Sequence, residues 1–288
     1  MSDYVIYTDS ACDISAELLQ EWGVCSTPLT FRFEGEDGEY TCETMTTAEF
    51  YQKMRAGCVA RTAAVNVARF QTDFEKLLQQ GLDILYLGLS STFSGTYQSA
   101  VIAAEQLKEK YPARKILTVD SLCACSGQAL LVFLTVEKKR SGAGIEEAAA
   151  FAENLKHKIC QWVTVDDLVY LKRGGRLSST TAIVGKALGN KPLLRITDEG
   201  KLVSAGKVRG RKKAVQAIAD QYTDAAEDAE NGRFFVFHSE CRDAAEDLVE
   251  ILKARHPSLK PLISEINTVI GTHVGPGALF CAFVGTER

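Results

Sequence analysis

Apolar residues follow two rhythms along this chain. Short, mainly apolar runs at 4–10, 84–89 and 116–121, the first and last ending in acid and hydroxyl, read as short buried strands. Between them apolar side chains return every three or four positions. Phe70, Phe74, Leu77 and Leu78 make one stripe, and Tyr97, Val101, Ala104 and Leu107 another, each the mark of a helix packed by one face. Local signals set the ends: a helix starts after Asp13 and Gly23 closes it, Thr46-Thr-Ala-Glu49 has the capping-box pattern ahead of a helix through Arg55, and Asn66 caps the stripe that Gly81 ends. Residues 24–33 read as one strand, and further helices are expected over 126–139 and 145–158. Such alternation predicts an α/β fold in which the N-terminal part is a three-layer α/β/α unit on a parallel sheet.

The texture changes at Cys160-Gln-Trp-Val-Thr-Val165, which divides the chain into an N-terminal domain, 1–160, and a C-terminal domain, 161–288. Arg173-Gly-Gly-Arg176 breaks the chain, Ser178-Ser-Thr-Thr181 opens a small-residue helix, and 191–208 reads as a hairpin around Asp198-Glu-Gly200. A long helix over 211–229, a strand at 234–238, an amphipathic helix at 244–255, an apolar segment at 263–267, a loop at 271–277 and a final strand at 278–284 follow. The hairpin requires antiparallel pairing, so the second domain is expected to be α/β with a mixed sheet.

Composition narrows the classes of function. With 46% hydrophobic and 24% charged residues over 288 positions the chain is an ordinary globular one, and a net charge of −4 gives no global attraction to nucleic acid or an anionic membrane. The nine cysteines show no CxxC pair and no Cys/His spacing suited to zinc, which argues for reduced thiols and no metal. No apolar run approaches the roughly 18 residues a membrane span needs. A soluble cytoplasmic protein without a cofactor is expected.

The chemistry-bearing stretch is Leu-Ser-Ser-Thr-Phe-Ser-Gly-Thr-Tyr-Gln-Ser-Ala at 89–100, hydroxyls and a glycine between a buried strand and a helix. In open α/β sheets ligands bind outside the carboxyl ends of strands, where free helix amides can receive an anion. The plainer role is that Ser94 or Thr96 caps the helix. Neither G-x-x-x-x-G-K-[ST] nor G-x-G-x-x-G occurs between a strand and a helix, which argues against a nucleotide. Ser90 or Ser94 with His273 or His238 and Asp9 or Asp120 could form a hydrolytic triad, yet Gly88-Leu-Ser-Ser-Thr92 is not a G-x-S-x-G elbow. The basic run Lys207-Val-Arg-Gly-Arg-Lys-Lys213 opposes a helix dipole and hints at an anionic partner, with Arg173 and Arg176 as a second patch.

Thr8-Asp-Ser10, the 89–100 segment, Asp120-Ser121, Leu-Val-Tyr-Leu-Lys-Arg-Gly-Gly-Arg at 168–176, Lys191-Pro192 and Gly-Thr-His-Val-Gly-Pro-Gly at 271–277 resemble, in this order, the motifs of DegV-family proteins. The similarity extends over essentially the whole chain. It implies a two-domain α/β protein that holds one long-chain fatty acid between its domains and presents the carboxylate to a separate ATP-dependent fatty acid kinase subunit, with no catalytic step of its own. By the same resemblance the carboxylate ligands fall on Thr62 and Ser94, with His273 close by; a carboxylate in a partly apolar cleft needs charge-assisted hydrogen bonds, and the amides near Gly95 are suitable further donors. Arg173, Arg209, Arg211 and Lys212 are assigned to the kinase-facing surface by resemblance and local charge. One departure stands out: the family pattern Thr-Ser-x-Pro-Ser or Asn is here Thr62-Ala-Ala-Val-Asn66, so the proline that would prefix the turn is replaced by Val65. Hydroxyl ligands suit an oxygen that must later accept a phosphoryl group, since an arginine clamp would withdraw the nucleophile. The alternatives are a serine hydrolase of acyl esters using Ser94 and His273, and a binding module for another small carboxylate.

Overall fold

The computed structural model describes residues 3–177 and 189–288, so the helix expected from Ser178 lies outside the described residues. The elements of the first part are β1 (Tyr4–Asp9), α1 (Ala16–Trp22), β2 (Val24–Thr27), β3 (Thr30–Phe33), α2 (Thr47–Arg55), β4 (Ala60–Ala63), α3 (Val67–Gln79), β5 (Asp83–Gly88), α4 (Thr96–Lys110), β6 (Ile116–Asp120), α5 (Cys125–Arg140) and α6 (Ile145–Leu155). They are followed by β7 (Ile159–Thr164), α7 (Val169–Gly174), β8 (Asn190–Ile196), β9 (Leu202–Arg209), α8 (Arg211–Ala225), β10 (Arg233–His238), α9 (Arg242–Arg255), β11 (Lys260–Glu265), α10 (Thr268–Val274) and β12 (Leu279–Val284).

The first sheet has the order β2-β1-β5-β6 and is parallel throughout. Every residue of β1 and β5 is buried, as their continuous apolar runs require of strands covered on both faces. The second sheet, in the order β11-β10-β12-β7-β8-β9, is mixed: only β10 and β11 run parallel among its pairs. Its strands alternate. Phe234, Val236, Cys281 and Phe283 pack with α8 and α9, whereas Phe235, Phe237, Phe280 and Ala282 join the core built on the first sheet.

Between the two sheets lies α5. Residues 125–133 of this helix are all buried, matching a run, Ala129-Leu-Leu-Val-Phe133, that is apolar all round rather than on one stripe. Trp22 of α1 packs edge-on against Phe133, and Phe133 in turn meets Phe235 of β10, with ring centroids 5.1 and 5.7 Å apart. Each large apolar side chain buried here contributes roughly 1.5–3 kcal/mol, so the shared helix binds one sheet to the other.

Two segments differ from the sequence expectation. Residues 24–33 form two strands, not one: β2 lies in the parallel sheet, and beyond Pro28 β3 pairs antiparallel with β4 as a separate ribbon. Proline has no amide to donate, so the ladder breaks there. The ribbon packs through Phe31 and Phe33 on Phe50, Tyr51 and Met54 of α2. The second difference is at 271–277, where the expected loop is largely helix: α10 runs to Val274, and its start is capped by the Asn267 side chain, which accepts from the Val269 amide. Gly271 is there for clearance. A Cβ on it would stand 2.6 Å from the Tyr51 hydroxyl and 2.9 Å from the Phe50 ring. Small boundary changes accompany these: the helix after Gly210 ends at Ala225, and the last turn of the 145–158 helix is a 3-10 turn.

Asp13 ties the loop after β1 to the start of α10. It sits at φ 53° and is only 2% exposed; its carboxylate accepts from the Asn267 amide at 3.1 Å, while Asn267 donates its side-chain amide to the Ser10 carbonyl at 2.7 Å. Burial pushes the Asp13 carboxyl up to about 8. A folded-state value above the unfolded one means that the folded chain holds the extra proton, so this stability is fully present below 3.8 and is lost as pH rises toward about 8. Asp13→Asn keeps an acceptor for the Asn267 amide without a titrating group. Its stability should exceed the parent's at pH 8 by on the order of a few kcal/mol, read as a higher melting temperature, and match it near pH 4; a gain equal at both pH values would contradict this role.

Candidate functional site

The loop between β5 and α4 is fixed at its first residue. Asp9, at the end of β1 and fully buried, accepts hydrogen bonds from the Leu89 amide at 2.9 Å and the Tyr86 hydroxyl at 2.7 Å, and from the Gln128 side chain of α5 at 3.2 Å. Further on, the hydroxyls divide. Ser90 and Thr92 donate to the Gly200 carbonyl in the turn of the β8–β9 hairpin, so they fasten the loop to the second sheet. The Ser91 amide donates to Asp120 at 3.2 Å. Ser94 and Gly95 face a cavity at the start of α4.

Thr62 and His273 complete its polar end. Thr62 projects from β4, opposite Phe31 in the ribbon, and His273 lies in the last turn of α10; Thr62 Oγ1 and His273 Nε2 are 2.9 Å apart. His273 Nδ1 is buried with no partner among the described residues and abuts Gly174. An orphaned buried N–H costs more than an orphaned lone pair, which places the ring proton on Nε2: His273 donates to Thr62, and the Thr62 proton is left for the cavity. Burial, and then the positive charge of Arg176, lower His273 to about 4, so the ring is neutral near pH 7.

Arg176 does not join Arg173 in the basic patch that their spacing leads one to expect. It lines the cavity, donating through Nε to the Phe93 carbonyl at 3.1 Å and through Nη1 to the Gly174 carbonyl, and burial lowers its own affinity for a proton. Gly175, at φ 69°, ends α7 and turns the chain so that Arg176 points inward while Arg173, three residues earlier, stays exposed. The only signal available in the sequence was the Arg-Gly-Gly-Arg string itself, which does not say which arginine turns in.

Apolar side chains form the rest of the wall, among them Leu89 and Phe93 from the loop, Ile196 and Leu202 from the hairpin, and Val269 and Phe280. The cavity volume is about 120 Å³, several times what one water needs. Thr62, Ser94, Gly95 and His273 are thus brought together. Arg173, Arg209, Arg211 and Lys212 are not in the lining: Arg173, Arg209 and Lys212 are exposed, and Arg211 is half-buried, paired with Asp166 and donating to the Gly277 carbonyl.

A hydrolytic arrangement is not what these atoms make. Neither His273 nor His238 hydrogen-bonds to a serine among the described residues, and His238 lines a different cavity with Glu265 and Cys241. Asp120 accepts from the Ser91 and Leu122 amides, and Asp9 is committed to the loop. No group of three His, Cys, Asp or Glu side chains that could hold a metal occurs among the described residues, and none of their helices is long and apolar enough to cross a membrane.

Gly174 tests the orientation of His273. A Cβ there would lie 2.3 Å from His273 Nδ1, so in Gly174→Ala the ring must leave Thr62. Its titration, followed by NMR, should rise from about 4 toward the ordinary 6.5; an unchanged titration would show that the ring is not wedged between Gly174 and Thr62.

The same arrangement of sheets occurs in known proteins. The DegV family model, described as an uncharacterised protein family, matches residues 3–285. A DegV domain-containing protein of Clostridium perfringens is 38% identical over 100% of this chain and 99% of its own. A DegV family protein from Thermus thermophilus, whose structure is described as fatty acid binding, is 31% identical with a TM-score of 0.88, covering 99% of this chain and 100% of that one. A stearic acid-binding protein from Eubacterium ventriosum is 26% identical with a TM-score of 0.88, covering 98% of each chain. With a family model spanning nearly its whole length and a relative this similar end to end, the chain belongs to the DegV family.

Proposed function

We propose that the protein binds one long-chain fatty acid, with its carboxylate at Thr62, Ser94 and the Gly95 amide, and its tail along the apolar wall. The observation that carries this reading is the division of the cavity: hydroxyl donors backed by a neutral histidine at one end, aliphatic and aromatic side chains elsewhere. A carboxylate leaving water for such a cleft needs charge-assisted hydrogen bonds, or it takes up a proton. Thr62 and Ser94 supply donors, and Arg176 adds a positive charge that is already engaged with two carbonyls. An arginine held by its own carbonyls offsets the charge without clamping the oxygen. The relatives described as fatty acid-binding proteins support the same ligand class.

Affinity comes mainly from the tail. About 14 methylenes at about 0.8 kcal/mol each give on the order of 11 kcal/mol before ordering costs. The polar end then decides orientation and protonation state. In this reading residues 1–160 and 161–288 act as two domains, the first contributing Thr62 and Ser94 and the second His273. The bound acid is carried in the cytoplasm to a separate kinase, which phosphorylates the exposed carboxylate oxygen. Arg173, which lies over the Tyr170 ring, and Arg209 and Lys212 are exposed on the surface where they could meet such a partner, whereas Arg211 is engaged with Asp166.

Native mass spectrometry of the protein as purified should find one long-chain fatty acid per chain. Thr62→Val and Ser94→Ala should each weaken palmitate binding about tenfold, the loss of one charge-assisted donor. Protein that carries no acid after gentle purification and does not take up palmitate would refute the reading.

A further inference from the structure

We propose that Thr96 is a positioning residue that turns the Ser94 hydroxyl proton into the cavity, which rests on the reading of Ser94 as a carboxylate donor. Three hydrogen bonds carry the inference. The Val65 amide donates to Thr96 Oγ1 at 3.2 Å, Thr96 Oγ1 and Ser94 Oγ are 2.9 Å apart, and the Thr96 amide donates to Ser94 Oγ at 3.2 Å. Thr96 is fully buried, whereas Ser94 is half-buried and lines the cavity.

One proton lies between the two hydroxyl oxygens, and only one placement leaves every group satisfied. If Ser94 donated to Thr96, the Thr96 proton would need another acceptor, and among the described residues Thr96 Oγ1 has none. Buried hydroxyls without partners are disfavoured. If Thr96 donates to Ser94, its oxygen accepts the Val65 amide, Ser94 Oγ accepts from both the hydroxyl and the amide of Thr96, and the Ser94 proton is left for whatever enters the cavity. The site is thereby fixed as a donor toward an acceptor head group. The same arrangement occupies the Ser94 lone pairs, so the oxygen is a poor nucleophile.

Val65 matters here through its backbone: its amide proton anchors Thr96 Oγ1, and through Thr96 this hydrogen bond reaches the head-group site. A proline at this position would carry no amide proton and could not anchor Thr96 in this way.

A double-mutant cycle on the full-length protein, stripped of lipid and titrated with palmitate, tests this. Thr96→Val and Ser94→Ala should each weaken binding about tenfold, and the double variant should be no weaker than Ser94→Ala alone, because Thr96 acts only through Ser94. Thr96→Ser, which keeps the hydroxyl, should bind within about twofold of the parent. Should Thr96→Val be unstable, Thr96→Cys, of similar size and a weaker donor, carries the same expectation. Parent-like binding by Thr96→Val, or losses that multiply in the double variant, would overturn the positioning role alone. Parent-like binding by Ser94→Ala would instead overturn the head-group assignment beneath it.

Discussion

A carboxylate with no exposed surface holds the site in register. Asp9 collects the Leu89 amide, the Tyr86 hydroxyl, the Ala11 amide and the Gln128 side chain, so the ends of β1 and β5 and the buried helix α5 converge on its two oxygens. Burial pushes this carboxyl up, and the four donors counter that only in part, so it stays above its ordinary value. Removing any of them would leave a buried acceptor short of a partner, a loss of about 1–3 kcal/mol. Gly88 beside it has no room for a side chain, since a Cβ would lie 2.6 Å from the Tyr86 hydroxyl. The loop that carries Ser94 therefore leaves the first sheet at one fixed point.

From that point the loop is drawn to the second sheet by Ser90 and Thr92, which donate to the Gly200 carbonyl. Both sheets thus contribute to one cavity. The ribbon β3–β4 brings Thr62, and α10 brings His273, each held by packing on Phe50 and Tyr51 of α2. The Asp13 clasp fixes where α10 begins. The polar end is neutral histidine, hydroxyls and a half-buried arginine, which in the proposed reading receive an anion without offering a strong base or nucleophile to attack it. In that reading the apolar wall next to such donors suits a molecule that is a carboxylate at one end and hydrocarbon at the other.

Some of this was legible in the sequence because it is local. The apolar runs of β1 and β5 announce a parallel sheet, and the caps at Thr46 with Glu49 and at Asn66 occupy the helix starts as side-chain acceptors, whereas the helix expected after Asp13 starts later, capped by Ser15. Glycine misled where packing, not chain reversal, required it: Gly271 makes clearance for Tyr51 inside a helix that its sequence disguises as a loop. The split of residues 24–33 depends on a partner strand, β4, which has only four residues and no periodicity of its own. Thr62 and His273 stand 211 positions apart, so only resemblance could pair them. Nor could periodicity separate a cavity wall from a core face, because Leu89 and Phe280 in the wall are as buried as the core around them.

The most direct test is to observe the carboxylate itself. With palmitate labelled at the carboxyl carbon and bound to the protein, 13C NMR should show a single ionised carboxylate from pH 8 down to below about 4, held there by the hydroxyl and amide donors. A bound carboxyl that takes up its proton at or above the ordinary range, or that titrates as it does in free solution, would mean that these donors do not receive it.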